Sequence, residues 1–93
     1  MSQHRYTIVL DFRGGTYISQ VDAIDETDAV LRWTDRLLAA EPVGDLSPAL
    51  AKAVLVELEG GDRPTALDGL ANVWCVTASC GDDLAIANIV QSA

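Results

Sequence analysis

The segment VLDFRGGTYISQV, residues 9–21, places two glycines between two runs in which apolar and polar side chains alternate. Alternation with a period of two predicts a half-buried strand over residues 5–12, whose apolar face carries Tyr6, Ile8, Leu10 and Phe12. Residues 16–24 mix β-branched, aromatic and polar side chains and predict a second strand. Because glycine adopts positive φ without steric cost, Gly14-Gly15 predicts the turn of an antiparallel hairpin.

A glycine pair can also belong to a phosphate-binding loop, and this alternative decides whether the segment carries chemistry. Such a loop needs a longer glycine spacing that ends in Lys-Ser or Lys-Thr, with a helix directly behind it. Neither feature follows Gly15, where the second strand begins. The segment therefore favours a hairpin turn over an anion site.

The middle of the chain predicts helices. Residues 25–42, DETDAVLRWTDRLLAAEP, predict an amphipathic helix of about four turns that Asp25 caps, with further acidic residues in the first turn. Its apolar stripe contains Val30, Trp33, Leu37 and Leu38. Ser47-Pro48 as cap and first helical position, and Gly60-Gly61 as the stop, favour a second helix over about residues 48–58. A strand is the alternative there, because AVLVELE is rich in β-branched residues.

The C-terminal third predicts a second hairpin. NVWCVTASC and LAIANIVQS are strand-like runs, and the Gly-Asp pair between them is a hairpin signal. Both faces of these two strands are apolar or small, which predicts cover on both sides, while residues 61–72 form a surface connection. The chain is thus expected to be a single α+β domain over residues 1–93, an antiparallel sheet of about four strands in the order β-β-α-α-β-β with helices on one face.

Composition narrows the possible partners. Fourteen acidic and six basic residues give a net charge of -8, which disfavours nucleic acid and anionic membranes and attracts basic proteins. No apolar run approaches the roughly 20 residues that a membrane span requires, and Asp11 interrupts what could be a signal peptide. A cytoplasmic location is therefore expected.

The side chains that most often carry catalysis or bind metals are scarce. Cys75 and Cys80 match no zinc-ligand spacing, and their odd separation on a strand directs them to opposite faces, so reduced structural thiols are expected. His4, the only histidine, lies in an N-terminal segment expected to be mobile, which disfavours a nucleophile with an oriented base. The acidic cluster near Asp25 lacks the spacing of a calcium loop. No enzymatic activity, no metal and no cofactor are predicted.

In size, charge and layout the whole chain resembles the immunity proteins that bacteria keep beside secreted toxins, although no diagnostic motif carries the likeness. The resemblance implies a compact inhibitor that binds a basic toxin or effector. The charge distribution, with one exposed aromatic residue, predicts a partner-binding set of Tyr17, Asp22, Asp25, Glu26, Asp28, Asp82 and Asp83. Two alternatives stay open: an accessory subunit that forms a homodimer by strand pairing, and a small enzyme or ligand-binding domain with a concave pocket.

Overall fold

A computed structural model describes residues 3–61 and 63–92 and has an α+β architecture. Five antiparallel strands and two α-helices follow one another as β1 (His4–Phe12), β2 (Gly15–Ala23), α1 (Glu26–Ala40), a 3-10 turn (Gly44–Leu46), α2 (Ser47–Glu59), β3 (Thr65–Ala66), β4 (Val73–Cys80) and β5 (Asp83–Gln91). The strands lie in the spatial order β2-β1-β5-β4-β3. The expected fold class is confirmed, with one strand more than expected. Among the described residues, neither helix is long and apolar enough to cross a bilayer.

The first hairpin forms as predicted, but its turn is shifted by one residue. Phe12 pairs with Gly15 in the ladder, so Arg13 and Gly14 are the two central residues, with φ of 52° and 79°. Positive φ at both central positions is the requirement of the hairpin turn that matches strand twist. The prediction that Gly14-Gly15 forms the turn is therefore correct for Gly14 and wrong for Gly15, whose Cβ, if present, would lie 2.9 Å from the Tyr17 hydroxyl.

Helix α1 begins as the sequence predicts. The Asp25 carboxylate accepts a hydrogen bond from the Asp28 backbone N–H at 2.7 Å. The helix buries Ala29, Val30, Trp33, Thr34 and Leu37. Leu38 was expected in this stripe, but it is 53% exposed, because successive residues lie about 100° apart around a helix and Leu37 already points at the sheet.

The second helix is α2, so the helical alternative is correct and the strand alternative is wrong. Ser47 is its first residue, and its hydroxyl accepts a hydrogen bond from the Val43 backbone N–H at 2.9 Å, so it ties down the preceding loop and does not cap the helix. The end at Gly60-Gly61 is confirmed: the Gly60 N–H donates to the Val56 carbonyl, and Gly61 takes a φ of 98°.

Two smaller expectations are corrected at the margins of the sheet. The connection over residues 61–72 contains the short strand β3, in which Thr65 pairs with Cys75 and Ala66 with Trp74. Nothing in its two-residue length gives a periodic signal. His4 is the first residue of β1, opposite Ala23, and does not lie in a mobile tail.

The helices cover only one face of the sheet. Helix α1 packs on β2 and β1, and α2 packs on β4 and against α1. The core between these layers includes Tyr6, Ile8 and Leu10 of β1 and Ala85, Ala87 and Ile89 of β5. The alternate residues of the four long strands form the opposite surface, here called the open face: Arg5, Thr7, Val9, Asp11, Thr16, Ile18, Gln20, Asp22, Val73, Cys75, Thr77, Ser79, Leu84, Ile86, Asn88 and Val90. The expectation that β4 and β5 are covered on both sides is wrong for the described chain.

Candidate protein-binding surfaces

The junction between β2 and α1 gathers four of the acidic residues predicted to bind a partner. Because β2 ends at Ala23 and α1 begins at Glu26, Asp22, Asp25, Glu26 and Asp28 lie together at one end of the sheet, here called the acidic end. Asp28 accepts a hydrogen bond from the Ile24 backbone N–H at 3.1 Å and lies 3.5 Å from the Arg32 guanidinium. With Asp25 as the cap, two of the four carboxylates thus fix the start of the helix.

Asp22 and Glu26 stand in different surroundings. The Asp22 carboxylate accepts two hydrogen bonds from Arg5 across the β1–β2 ladder, at 3.2 and 3.4 Å, and these bonds and the opposite charge raise the pKa of Arg5. Glu26 is half-exposed and makes no side-chain hydrogen bond or ion pair with the residues that the structure describes. Glu26 is therefore the member of the acidic end whose charge is available without disturbing the helix cap.

The carboxylates of the acidic end also act on the core. Tyr6 is buried and packs its ring against Trp74, with ring centroids 6.1 Å apart and planes tilted by 55°. Burial raises the pKa of Tyr6, and the negative charges of Glu26, Asp25 and Asp28 raise it further. The tyrosine hydroxyl therefore stays neutral to higher pH than in the unfolded chain.

The remaining predicted acids lie at the other end of the sheet. Asp82 is in the β4–β5 turn, and Asp83 opens β5, with its carboxylate 3.7 Å from Arg13 of the neighbouring hairpin turn. Strands of nine residues separate the two ends by about 25–30 Å. The structure does not bring the seven predicted residues together: one group contains Asp22, Asp25, Glu26 and Asp28, and the other contains Asp82 and Asp83.

Tyr17 lies outside both acidic groups, and its side chain is not exposed. It lies on the covered face of β2, half-buried against the core, and its ring folds back over Gly15. The sequence placed it just past the turn, where exposure is common, but the alternation of β2 turns it toward the helices.

The described residues contain no group of three or more His, Cys, Asp or Glu side chains placed to share a metal ion. Cys75 lies on the open face and Cys80 on the covered face, as their odd separation on a strand predicts, and both are half-buried.

The free edge of β2 borders an open groove. This cavity of about 690 Å³ runs between the strand and the end of α1, with Arg5, Arg36 and Asp22 among its charged lining residues. The groove is open and polar, and both positively and negatively charged side chains line it. It therefore provides no enclosed apolar site of the kind that buries a small ligand.

One set of exposed residues was not named as a site from the sequence. Ile18, Leu84 and Val90 stand on the open face with a third or more of their surface exposed. The sequence signal for this set is in β5, where both sets of alternating residues are largely apolar, but the same pattern is typical of a strand covered on both faces.

Comparison with protein-family models, with curated proteins and with solved structures finds no match for this chain.

Proposed function

We propose that this chain is a non-catalytic protein-binding domain of the immunity type, which neutralises a basic toxin or effector by docking its acidic end against it. The observation that carries the proposal is the convergence of Asp22, Asp25, Glu26 and Asp28 at the β2–α1 junction of a chain with a net charge of -8. Fixed acidic groups on such a chain steer a basic partner during diffusional encounter.

Two features of the acidic end support this assignment. The cap hydrogen bonds of Asp25 and Asp28 hold their carboxylates in place before any partner arrives, which lowers the ordering cost of binding. Glu26 adds a charge whose removal leaves the cap hydrogen bonds of Asp25 and Asp28 intact. A basic surface meeting this end would therefore find preorganised acceptors for charge-assisted hydrogen bonds.

The test uses a variant that removes charge but keeps the helix cap. Asparagine caps helices about as well as aspartate, so D25N/E26Q removes two negative charges from the acidic end and leaves a cap at residue 25. D35N/D45N is the matched control, since it removes two charges from exposed positions outside the acidic end. The partner is the product of the adjacent reading frame, co-expressed and purified as a complex.

Association and dissociation rates are measured at low salt and at about 0.15 M, where the Debye length falls to roughly 8 Å. We expect the association rate to fall with salt, and D25N/E26Q to slow association about fivefold or more beyond the control, with little change in dissociation. The proposal would be contradicted by a partner that is neutral or acidic. It would also be contradicted by an association rate that changes neither with salt nor in D25N/E26Q.

A further inference from the structure

The open face carries an aliphatic stripe along its central strand, interrupted by Asn88. β5 is the third of five strands, and three of its four open-face residues are Leu84, Ile86 and Val90. An antiparallel sheet with one solvated face normally alternates apolar and polar residues, so β5 departs from that pattern. The register places further aliphatic residues beside β5: Val90 pairs with Val73 on one side, and on the other Val9 pairs with Asn88 of β5 and with Ile18 of β2.

Polar side chains surround this stripe. Thr16 donates to Asp11 at 2.9 Å and Gln20 donates to Thr7 at 3.1 Å on the β1–β2 side, while Thr77 and Ser79 occupy the β4 side. An apolar centre inside a polar rim is the anatomy of a protein–protein interface. Four of the rim side chains on β1 and β2 thus already have a hydrogen-bond partner within the sheet.

The charge of the open face distinguishes a second copy from a basic partner. Of its 16 positions only Arg5, Asp11 and Asp22 are charged, one positive and two negative, which gives a net charge of -1 against -8 for the whole chain. Most of the negative charge therefore lies on the turns and helices, away from this surface. A nearly neutral face attracts no basic protein in particular, and it allows two strongly acidic chains to meet where their mutual repulsion is weakest.

The size of the face also suits a dimer. Four strands about 27 Å long and spaced about 4.8 Å apart give a flat footprint of roughly 500 Å² per copy. Side-chain relief raises the accessible area above this footprint, toward the roughly 800 Å² per partner of a specific interface. The two footprints together, about 1,000 Å², thus match the low end of specific interfaces and fall short of the roughly 2,000 Å² or more of many obligate dimers.

We propose that the open face is an interface between two copies of this chain, which stack sheet against sheet around the aliphatic stripe of β5. The contact is isologous, since each copy presents the same stripe to the other. It covers the second apolar side of β5 that the chain itself leaves uncovered. Within the acidic end only Asp22 stands on the open face, so Asp25, Glu26 and Asp28 stay outside the contact and remain accessible to a basic partner in monomer and dimer.

The experiment compares two double variants by sedimentation equilibrium over about 1 μM to 1 mM, a range that covers weak and moderate dissociation constants. I18K/L84K places lysines on the open face at positions 68% and 56% exposed, and L38K/V56K makes the same change on the helices at positions 53% and 55% exposed. Both variants alter the net charge equally, so any difference reports the location of the interface. Thermal melting of each variant at low concentration checks that it folds.

We expect the wild-type chain to dimerise, with a dissociation constant that falls about threefold or more as salt rises from about 0.01 M to 0.15 M, because screening reduces the repulsion between two acidic chains. I18K/L84K should raise the dissociation constant at least about tenfold, since it places like charges opposite one another, while L38K/V56K should leave it unchanged. A chain that stays monomeric across the range at both salt concentrations would overturn the proposal. So would equal disruption by both variants.

A chemical readout keeps the proposal testable if I18K/L84K does not fold. In Cys80→Ala the only thiol is Cys75, which lies on the open face. Its alkylation rate per molecule should fall as protein concentration rises, and a rate independent of concentration contradicts the dimer. Salt separates this proposal from the proposed function: dimerisation strengthens with salt, whereas binding of a basic partner weakens, so either can fail alone.

Discussion

Neighbouring residues of β5 stand in opposite surroundings, although both sets are apolar. Ala85, Ala87 and Ile89 lie under the helices and are buried, whereas Leu84 and Val90 face outward and are exposed. The buried set includes two alanines and one isoleucine, and the outward set includes leucine, isoleucine and valine. Hydrophobicity alone therefore does not identify the covered face of this strand.

The first prediction tests the difference between the two faces of β5 at two adjacent residues. Ile89→Ala removes a side chain that is 0% exposed and should lower the free energy of unfolding by about 2–5 kcal/mol, through lost burial and a residual cavity. Val90→Ala, at 37% exposure on the open face, should cost less than about 1 kcal/mol in a dilute monomer. Urea unfolding measures both, at a protein concentration below that of any association.

Equal costs for the two substitutions would contradict the layered description of the sheet. If the stability lost in Val90→Ala grows with protein concentration, the Val90 side chain makes its outward contacts with a second copy of the chain. Measurement at two concentrations separates these outcomes, because the stability of a self-associating chain depends on concentration and that of a monomer does not.

The elements of this fold were predictable where periodicity or turn chemistry is local. The strand from Arg5 to Phe12, the cap at Asp25 and the stop at Gly60-Gly61 all depend on residues close in sequence, and all are present. Strand β3 was not predictable, because two residues carry no period and their pairing with Trp74 and Cys75 is decided by the tertiary fold.

The candidate sites show the same limit. Sequence proximity correctly joined Asp25, Glu26 and Asp28, since one helical turn holds them. It could not show that Asp82 and Asp83 lie a strand length away, or that Tyr17 turns toward the core. The first fact depends on how β5 pairs with β1 and the second on which face of β2 the helices cover, and both involve contacts far apart in the chain.

The two glycines of the first hairpin give a second prediction, of intermediate size. Gly14→Ala should lower the free energy of unfolding by about 1 kcal/mol or more, since Gly14 has a φ of 79° that a side chain strains. Gly15→Ala should cost less, because φ at Gly15 is not in the left-handed region and the obstacle is the flexible Tyr17 ring. Thermal melting of both variants checks the order.

Combining Gly15→Ala with Tyr17→Ala tests the cause. If the ring is the obstacle, the double variant should lose less stability than the sum of the single variants, because removal of the ring also removes the clash. Additive losses would mean that Gly15→Ala destabilises the chain through the backbone conformation at residue 15 and not through contact with the Tyr17 ring. A loss of stability by Gly15→Ala that exceeds that of Gly14→Ala would contradict the assignment of the turn to Arg13 and Gly14.

The smallest expected effect lies at the covered face, where Tyr6 contacts Trp74. Burial, aided by Glu26, Asp25 and Asp28, raises the pKa of Tyr6 in the folded chain above its ordinary value of 10.0. Above about pH 10 the unfolded chain therefore releases a proton that the folded chain retains, and stability falls as pH rises. This one group can change the slope of unfolding free energy against pH by at most the uptake of one proton, about 1.4 kcal/mol per pH unit.

Tyr6→Phe removes this contribution, so the unfolding free energy of the variant, measured in urea from pH 8 to 11, should decline less steeply than that of the wild type. Because arginine, lysine and the other tyrosine are common to both chains, the difference between the two curves isolates Tyr6. Parallel curves would mean that the Tyr6 hydroxyl meets water as freely in the folded chain as in the unfolded one, and the covered face would then be less closed at the acidic end than the packing of Tyr6 indicates.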